Sequence, residues 1–131
     1  MKSGDDHILS NEFIRIKINS DGRITSILDK SLDRELILAD HTAGFVIFED
    51  RPLNWSAWDV DYYHLQMKSP IDASSVRIVE DGPLKAMVLA TYHFGDSEIK
   101  VRPSTRFSGF GLTFCVGVHL VRCLLVDPFG W

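Results

Sequence analysis

Between Phe48 and Gln66 the chain reads FEDRPLNWSAWDVDYYHLQ, gathering two tryptophans, two tyrosines, four acids and a histidine into nineteen positions. Asp59 and Asp61, at i and i+2, would share a strand face about 6–7 Å apart, near the separation of the carboxylate pairs that cleave glycosidic bonds. A DxD of this kind also serves divalent cations in nucleotide-sugar glycosyltransferases, but only inside an α/β nucleotide fold, for which the chain has no pattern. The spacing alone does not carry catalysis. DxD recurs in acidic loops, and no third group stands by to separate the two pKa values. No residue is therefore assigned as catalytic.

The aromatic residues of the same stretch have two readings. As a sugar-stacking surface, Trp55, Trp58, Tyr62 and Tyr63 would present flat apolar faces, with Asp59, Asp61 and His64 supplying polar contacts. The candidate carbohydrate contacts are thus Trp55, Trp58, Asp59, Asp61, Tyr63 and His64. As an anchor, the same rings would fasten a long segment onto a core, since each indole can bury ~200 Å². The anchor reading is preferred, and it expects Trp58, beside Ala57 and Val60, to be more buried than Trp55, beside Asn54 and Ser56.

Metal chemistry has no comparable signal. Two cysteines and five histidines give no CxxC, HxH or HExxH spacing, so no metal-ligating residue and no cofactor is read in this chain. Cys115 and Cys123 would lie about 12 Å apart along a helix and further along a strand, which predicts reduced thiols.

The formal net charge is -4, from 14 basic and 18 acidic side chains, which opposes a role in binding phosphate backbones. The amino end, MKSGDDHILSNEF, lacks the apolar core of a signal peptide. The most apolar run, Leu112 to Val126, is shorter than the ~20 residues of a membrane helix and contains His119 and Arg122. Neither nucleic acid nor membrane is expected as a partner.

The elements that must position these residues are strands. Phe13, Ile14, Ile16 and Ile18 interleave with Arg15 and Lys17 at nearly period 2, Asn19 to Gly22 supply a turn, and Ile24 to Asp29 resume the alternation. A hairpin from Glu12 to Asp29 is predicted, with Gly22 at positive φ. Gly44 to Asp50 reads as a short strand stopped by Arg51 and Pro52, followed by an excursion over residues 51–70. Ser74 to Val101 reads as three strands joined by turns at Glu80 to Pro83 and at Gly95 and Asp96. Six strands and no periodic helix predict a mainly β fold, part of a β-sandwich. Its expected core is Phe13, Ile16, Ile18, Phe45, Ile47, Val88 and Leu89, with Arg15, Lys17 and Lys85 on solvated faces.

Composition shifts after Arg102. From Pro103 to Trp131 the only acid is Asp127, and the apolar residues form nearly continuous runs. The chain is accordingly divided into residues 1–102, the sandwich portion, and 103–131, an apolar tail expected to be poorly tied to it.

NEFIRIKINSDGRITSILDKSLDREL followed by GFVIFEDRPLNWSAWDVDYYHL resembles the start of the carboxyl-terminal β-sandwich region of glycoside hydrolase family 38, the zinc-dependent α-mannosidases, and within it the cytosolic and vacuolar branch. The resemblance rests on Asn11 to Phe13, Asp21 to Arg23, Asp29 with Lys30, Pro52, Leu53, Trp55, Ala57 to Val60, and Tyr63 to Leu65. It runs from about Ile8 to Val101. Ser56 stands where the family pattern has an aspartate, and no family pattern is read from Pro103 onward.

The resemblance implies an incomplete, mutarotase-like supersandwich belonging to a fragment of an enzyme that hydrolyses terminal α-D-mannosides. It also implies that the nucleophile and the zinc sit in an amino-terminal barrel whose residues have no counterparts here. The chain is then expected to support that barrel and to be inactive alone. In the parent enzyme the partner would be an α-mannoside oligosaccharide, and the location cytoplasmic or vacuolar. Two alternatives remain, a non-catalytic carbohydrate-binding module and a structural or partner-binding β domain that self-associates through unpaired strand edges.

Overall fold

The computed structural model describes residues 6–49, 51, 53–54, 62–106 and 112–119, the side chains at 114, 118 and 119 excepted. The first sheet is antiparallel, in the order β1 (His7–Ser10), β2 (Ile14–Ile18), β3 (Ile24–Asp29) and β4 (Arg34–Glu35). A two-stranded ribbon, β5 (Val46–Phe48) with β6 (Lys68–Pro70), follows. The second sheet holds β7 (Ser75–Asp81), β8 (Lys85–Phe94), β9 (Ser97–Arg106) and β10 (Leu112–His119), in the spatial order β10-β9-β8-β7.

Local chemistry builds the predicted hairpin. Asn19 accepts, on its side-chain oxygen, the N–H of Asp21 at 3.1 Å and of Arg23 at 2.9 Å. Gly22 takes φ +75°, a region that carries no penalty without a Cβ. Strands β2 and β3 then pair with a bulge between Lys17 and Ile18. The loop from β8 to β9 is two residues long, and its first, Gly95, also has positive φ at 56°, the arrangement whose twist matches the flanking strands.

The sheets pack face to face. Leu9, Ile14, Ile16, Ile18 and Ile24 from the first meet Val88 of the second in one cluster. Ala90, Tyr92 and Val101 form another, joined by the partly buried Phe45, Ile71 and Ala73. Of the expected core, Ile16, Ile18, Val88 and Leu89 are buried, whereas Phe13, Phe45 and Ile47 are half-buried. Arg15 is exposed, and Lys17 and Lys85 are half-buried.

Four strands lie outside the six expected: β1, β4, β6 and β10. The most informative is β10, because it falls in the segment expected to be loosely tied. It pairs with β9 over eight residues, Leu112 opposite Thr105 through His119 opposite Glu98. Strand β9 itself crosses the composition break without ending, and Pro103, Ser104 and Thr105 are buried. Pro103 has no N–H, and the β8–β9 ladder accordingly skips from Met87–Ser104 to Ala90–Val101 without changing register. The proline removes rungs on one side and leaves the strand intact. Residues 120–131 lie outside the described part.

Each sheet edge leaves inner-face positions uncovered. Ile78 is opposite the fully buried Val88, and Val116 is opposite Val101, yet Ile78 is 50% and Val116 49% exposed. The described sandwich is incomplete at both β7 and β10.

Candidate functional site

Of the six candidate carbohydrate contacts, Trp55, Trp58, Asp59 and Asp61 fall outside the described residues, as does the comparison of Trp58 with Trp55. Tyr63 and His64 lie on a 3₁₀ turn, Tyr62–Gln66, between the two ribbon strands. The Met67 amide closes that turn on the His64 carbonyl at 3.2 Å, and the Glu49 amide binds the Met67 carbonyl at 2.9 Å. The turn is thereby seated on the ribbon. His64 meets Phe48 edge to face, with ring centroids 5.1 Å apart, a geometry worth about 0.5–1.5 kcal/mol between aromatic rings.

The tyrosines do not anchor this segment. Tyr62 is 73% and Tyr63 57% exposed, so both phenol faces meet solvent. Leu53 and Met67 are exposed as well. Among the described residues, anchoring falls to others. Phe45 packs edge to face on Tyr92 at 5.1 Å, the Ile71 amide binds the Phe45 carbonyl, and the Arg23 guanidinium holds Asp72 through Nε at 3.0 Å and Nη2 at 2.7 Å. The Arg23–Asp72 contact ties the DGR turn to the end of the excursion, a link that sequence spacing of 49 residues gave no means to see.

An apolar cavity of about 250 Å³ opens between the β2–β3 turn and the second sheet, lined chiefly by Ile18, Ile24, Phe45, Ala90, Tyr92 and Val101. Its one hydroxyl, on Tyr92, already donates to the Gly22 carbonyl at 2.8 Å. So apolar a wall does not suit a saccharide.

Two carboxylates show a resolved displacement, both downward. The Ser31 hydroxyl holds Asp29 below its ordinary value against the opposing cost of desolvation, with further help from the Leu32 and Ser31 amides. The Ser26 hydroxyl does the same for Glu35, with further help from the Ile27 amide. Both are caps on the β3–β4 connection, not proton donors for chemistry near neutral pH. Among the described residues no three His, Cys, Asp or Glu side chains come together as metal ligands, so this part of the chain does not fit a zinc site. Cys115 is an exposed free thiol. No helix among the described residues is long and apolar enough to cross a membrane.

Residues 9–109 match the model of the glycosyl hydrolases family 38 C-terminal domain, a span that passes Val101 and takes in all of β9. Alpha-mannosidase G of Dictyostelium discoideum is 39% identical over 89 residues, 66% of this chain and 8% of that protein. Alpha-mannosidase 2C1 of Homo sapiens is 40% identical over 81 residues, 59% of this chain and 8% of the relative. Alpha-mannosidase of Saccharomyces cerevisiae is 39% identical over 67 residues, 45% of this chain and 6% of the relative. The chain therefore spans less than a tenth of the length of these relatives, and with three-quarters of its own residues inside the family match, it belongs to the glycosyl hydrolase family 38 C-terminal domains.

Proposed function

We propose that this chain acts as a β domain of an α-mannosidase, supporting the catalytic part of an enzyme that hydrolyses terminal α-D-mannosides and carrying no hydrolysis of its own. The observation that carries this reading is the coincidence of the family match, residues 9–109, with the two-sheet core from β1 to β9. In the whole enzyme, zinc and the reacting carboxylate would be held by other segments, the partner would be an α-mannoside oligosaccharide, and the location would be cytoplasmic or vacuolar.

The test has two arms. The purified 131-residue chain should turn over an aryl α-mannoside no faster than a blank. A relative in which residues 9–109 of this chain replace the matching segment should fold and keep its activity. Turnover by the chain alone, or a folded but inactive chimera, would refute the reading.

The open faces of Tyr62 and Tyr63 favour a second reading, in which these rings, with Trp55, Trp58, Asp59, Asp61 and His64, touch sugar. A mannose titration followed by tryptophan fluorescence should saturate if so, and Tyr63→Ala should weaken it. A flat titration removes this reading and leaves the first intact. Self-association through the edges at β7 and β10 is proposed as a property of the isolated chain, on the exposure of Ile78 and Val116.

A further inference from the structure

At the opposite end of the sandwich from the apolar cavity, a cleft of about 400 Å³ runs between the β1–β2 turn, the β7–β8 turn and the end of β9. Its lining includes Lys30, Lys85 and Arg106, with Glu12 as the one carboxylate. In a chain of net charge -4, three cations line one cleft, against the carboxylates of Glu12 and of Glu80, which lies on Lys85.

The cations are held differently. Lys30 Nζ donates to Ser10 Oγ at 2.7 Å and to the Asn11 carbonyl at 2.5 Å, which fixes the ammonium and leaves its third N–H for another acceptor. The frame behind it is rigid. The Asn11 side-chain amide donates to the Arg106 carbonyl at 2.8 Å, and its oxygen accepts the Phe13 and Ile14 amides, each at 2.8 Å. Asn11 thus pins the first sheet to the end of β9. Lys85 pairs with Glu80 at 3.3 Å, so its charge is partly answered. Arg106 is exposed and makes no ion pair among the described residues. Ser10 and Thr105 add hydroxyls to the wall.

We infer that this cleft is a binding site for a compact oxyanion, inorganic phosphate or a phosphomonoester. A phosphate presents several acceptor oxygens on a small tetrahedral group. Those oxygens match one prepositioned ammonium N–H and one planar guanidinium fork. The inference goes beyond the mannosidase reading and does not depend on it.

The experiment is an amide NMR titration of the 131-residue chain with sodium phosphate near pH 7.5, where the dianion dominates, at ionic strength held constant with sodium chloride. Saturable shifts are expected at Lys30, Gly82, Lys85, Thr105 and Arg106. Arg106→Gln, an exposed position, should weaken binding roughly tenfold, and Glu12→Gln should tighten it by removing the opposing charge. Parallel titrations with mannose 6-phosphate and mannose separate the sources. Tighter binding of the ester, with mannose silent at the cleft, assigns a sugar phosphate, and equal affinity of ester and inorganic ion assigns phosphate itself. Shifts that chloride reproduces, that fail to saturate, or that persist unchanged in a folded Arg106→Gln variant would overturn the site.

Discussion

The Tyr92 hydroxyl donates to the Gly22 carbonyl across 2.8 Å, joining the turn of the first sheet to the middle of the second over 70 positions of sequence. The approach leaves no room for a side chain at Gly22. A Cβ added at Gly22 would stand 2.3 Å from the Tyr92 oxygen and 2.8 Å from the Ala73 Cβ, and φ there is +75°. Gly22→Ala should therefore destabilise the fold by about 1–3 kcal/mol. Tyr92→Phe leaves the carbonyl without its donor and should lose about 1–2 kcal/mol. Because removing the hydroxyl also removes the closest clash, the double variant should lose less than the sum. A double-mutant cycle in urea checks this, and strict additivity would show that the two residues are not coupled.

Alkaline pH should act through the same tyrosine. Burial raises the Tyr92 pKa above its ordinary 10.0, with Arg23 opposing and Asp72 adding to the rise. A phenol whose folded pKa exceeds its unfolded one contributes stability that is fully present below the unfolded value and is lost as pH climbs through 10 toward the folded value. The urea midpoint should fall between about pH 9 and pH 11. Tyr92→Phe should flatten that fall, and an unchanged slope would place the alkaline transition elsewhere.

Acid should act through the β3–β4 connection. Asp29 and Glu35 have folded pKa values below 3.8 and 4.5, so their contribution is present above those values and is lost as pH falls through the lowered ones. Ser26→Ala removes the 2.6 Å hydroxyl bond to Glu35. The variant should be less stable than the parent chain at neutral pH and converge on it as pH falls through the lowered Glu35 value. A gap that stays constant on acidification would mean that the serine stabilises by packing alone.

The hairpin, the three long strands and their turns were legible because each depends on neighbours in sequence: Asn19 and Gly22 make one turn, Gly95 another, and alternation assigns the faces. Strand β10 was legible too, had Cys115 and Gly117 been counted with Thr113 as neutral residues. Leu112, Phe114, Val116 and Val118 then fall at alternate positions, which are the ones opposite Thr105, Pro103, Val101 and Ile99. Short partners such as β1, β4 and β6 carry too few residues to show a period. The site was less legible for a physical reason. Tyr62 and Tyr63 fit either a stacking surface or an anchor by composition, and the contacts that fasten the segment, Phe45 on Tyr92 and Arg23 on Asp72, join residues far apart in sequence.

The last prediction concerns the edge at β10. Among the described residues β10 pairs on one side only, in the order β10-β9-β8-β7, and an open strand edge offers unpaired backbone groups to another chain. Val116 adds an apolar side chain to that edge. Its register partner Val101 is 2% exposed while Val116 itself is 49% exposed, so the second sheet reaches beyond what the first one covers. The chain should therefore sediment as a concentration-dependent mixture of monomer and dimer. Val116→Lys puts a charge on the uncovered face, where the ammonium can stay in water, and should shift the mixture to monomer while changing monomer stability by less than about 1 kcal/mol. A parallel Ile78→Lys variant tells the two edges apart, since only the edge in use should respond. Sedimentation as a single monomeric species across the whole concentration range, for the unmodified chain, would show that neither uncovered face draws a second copy.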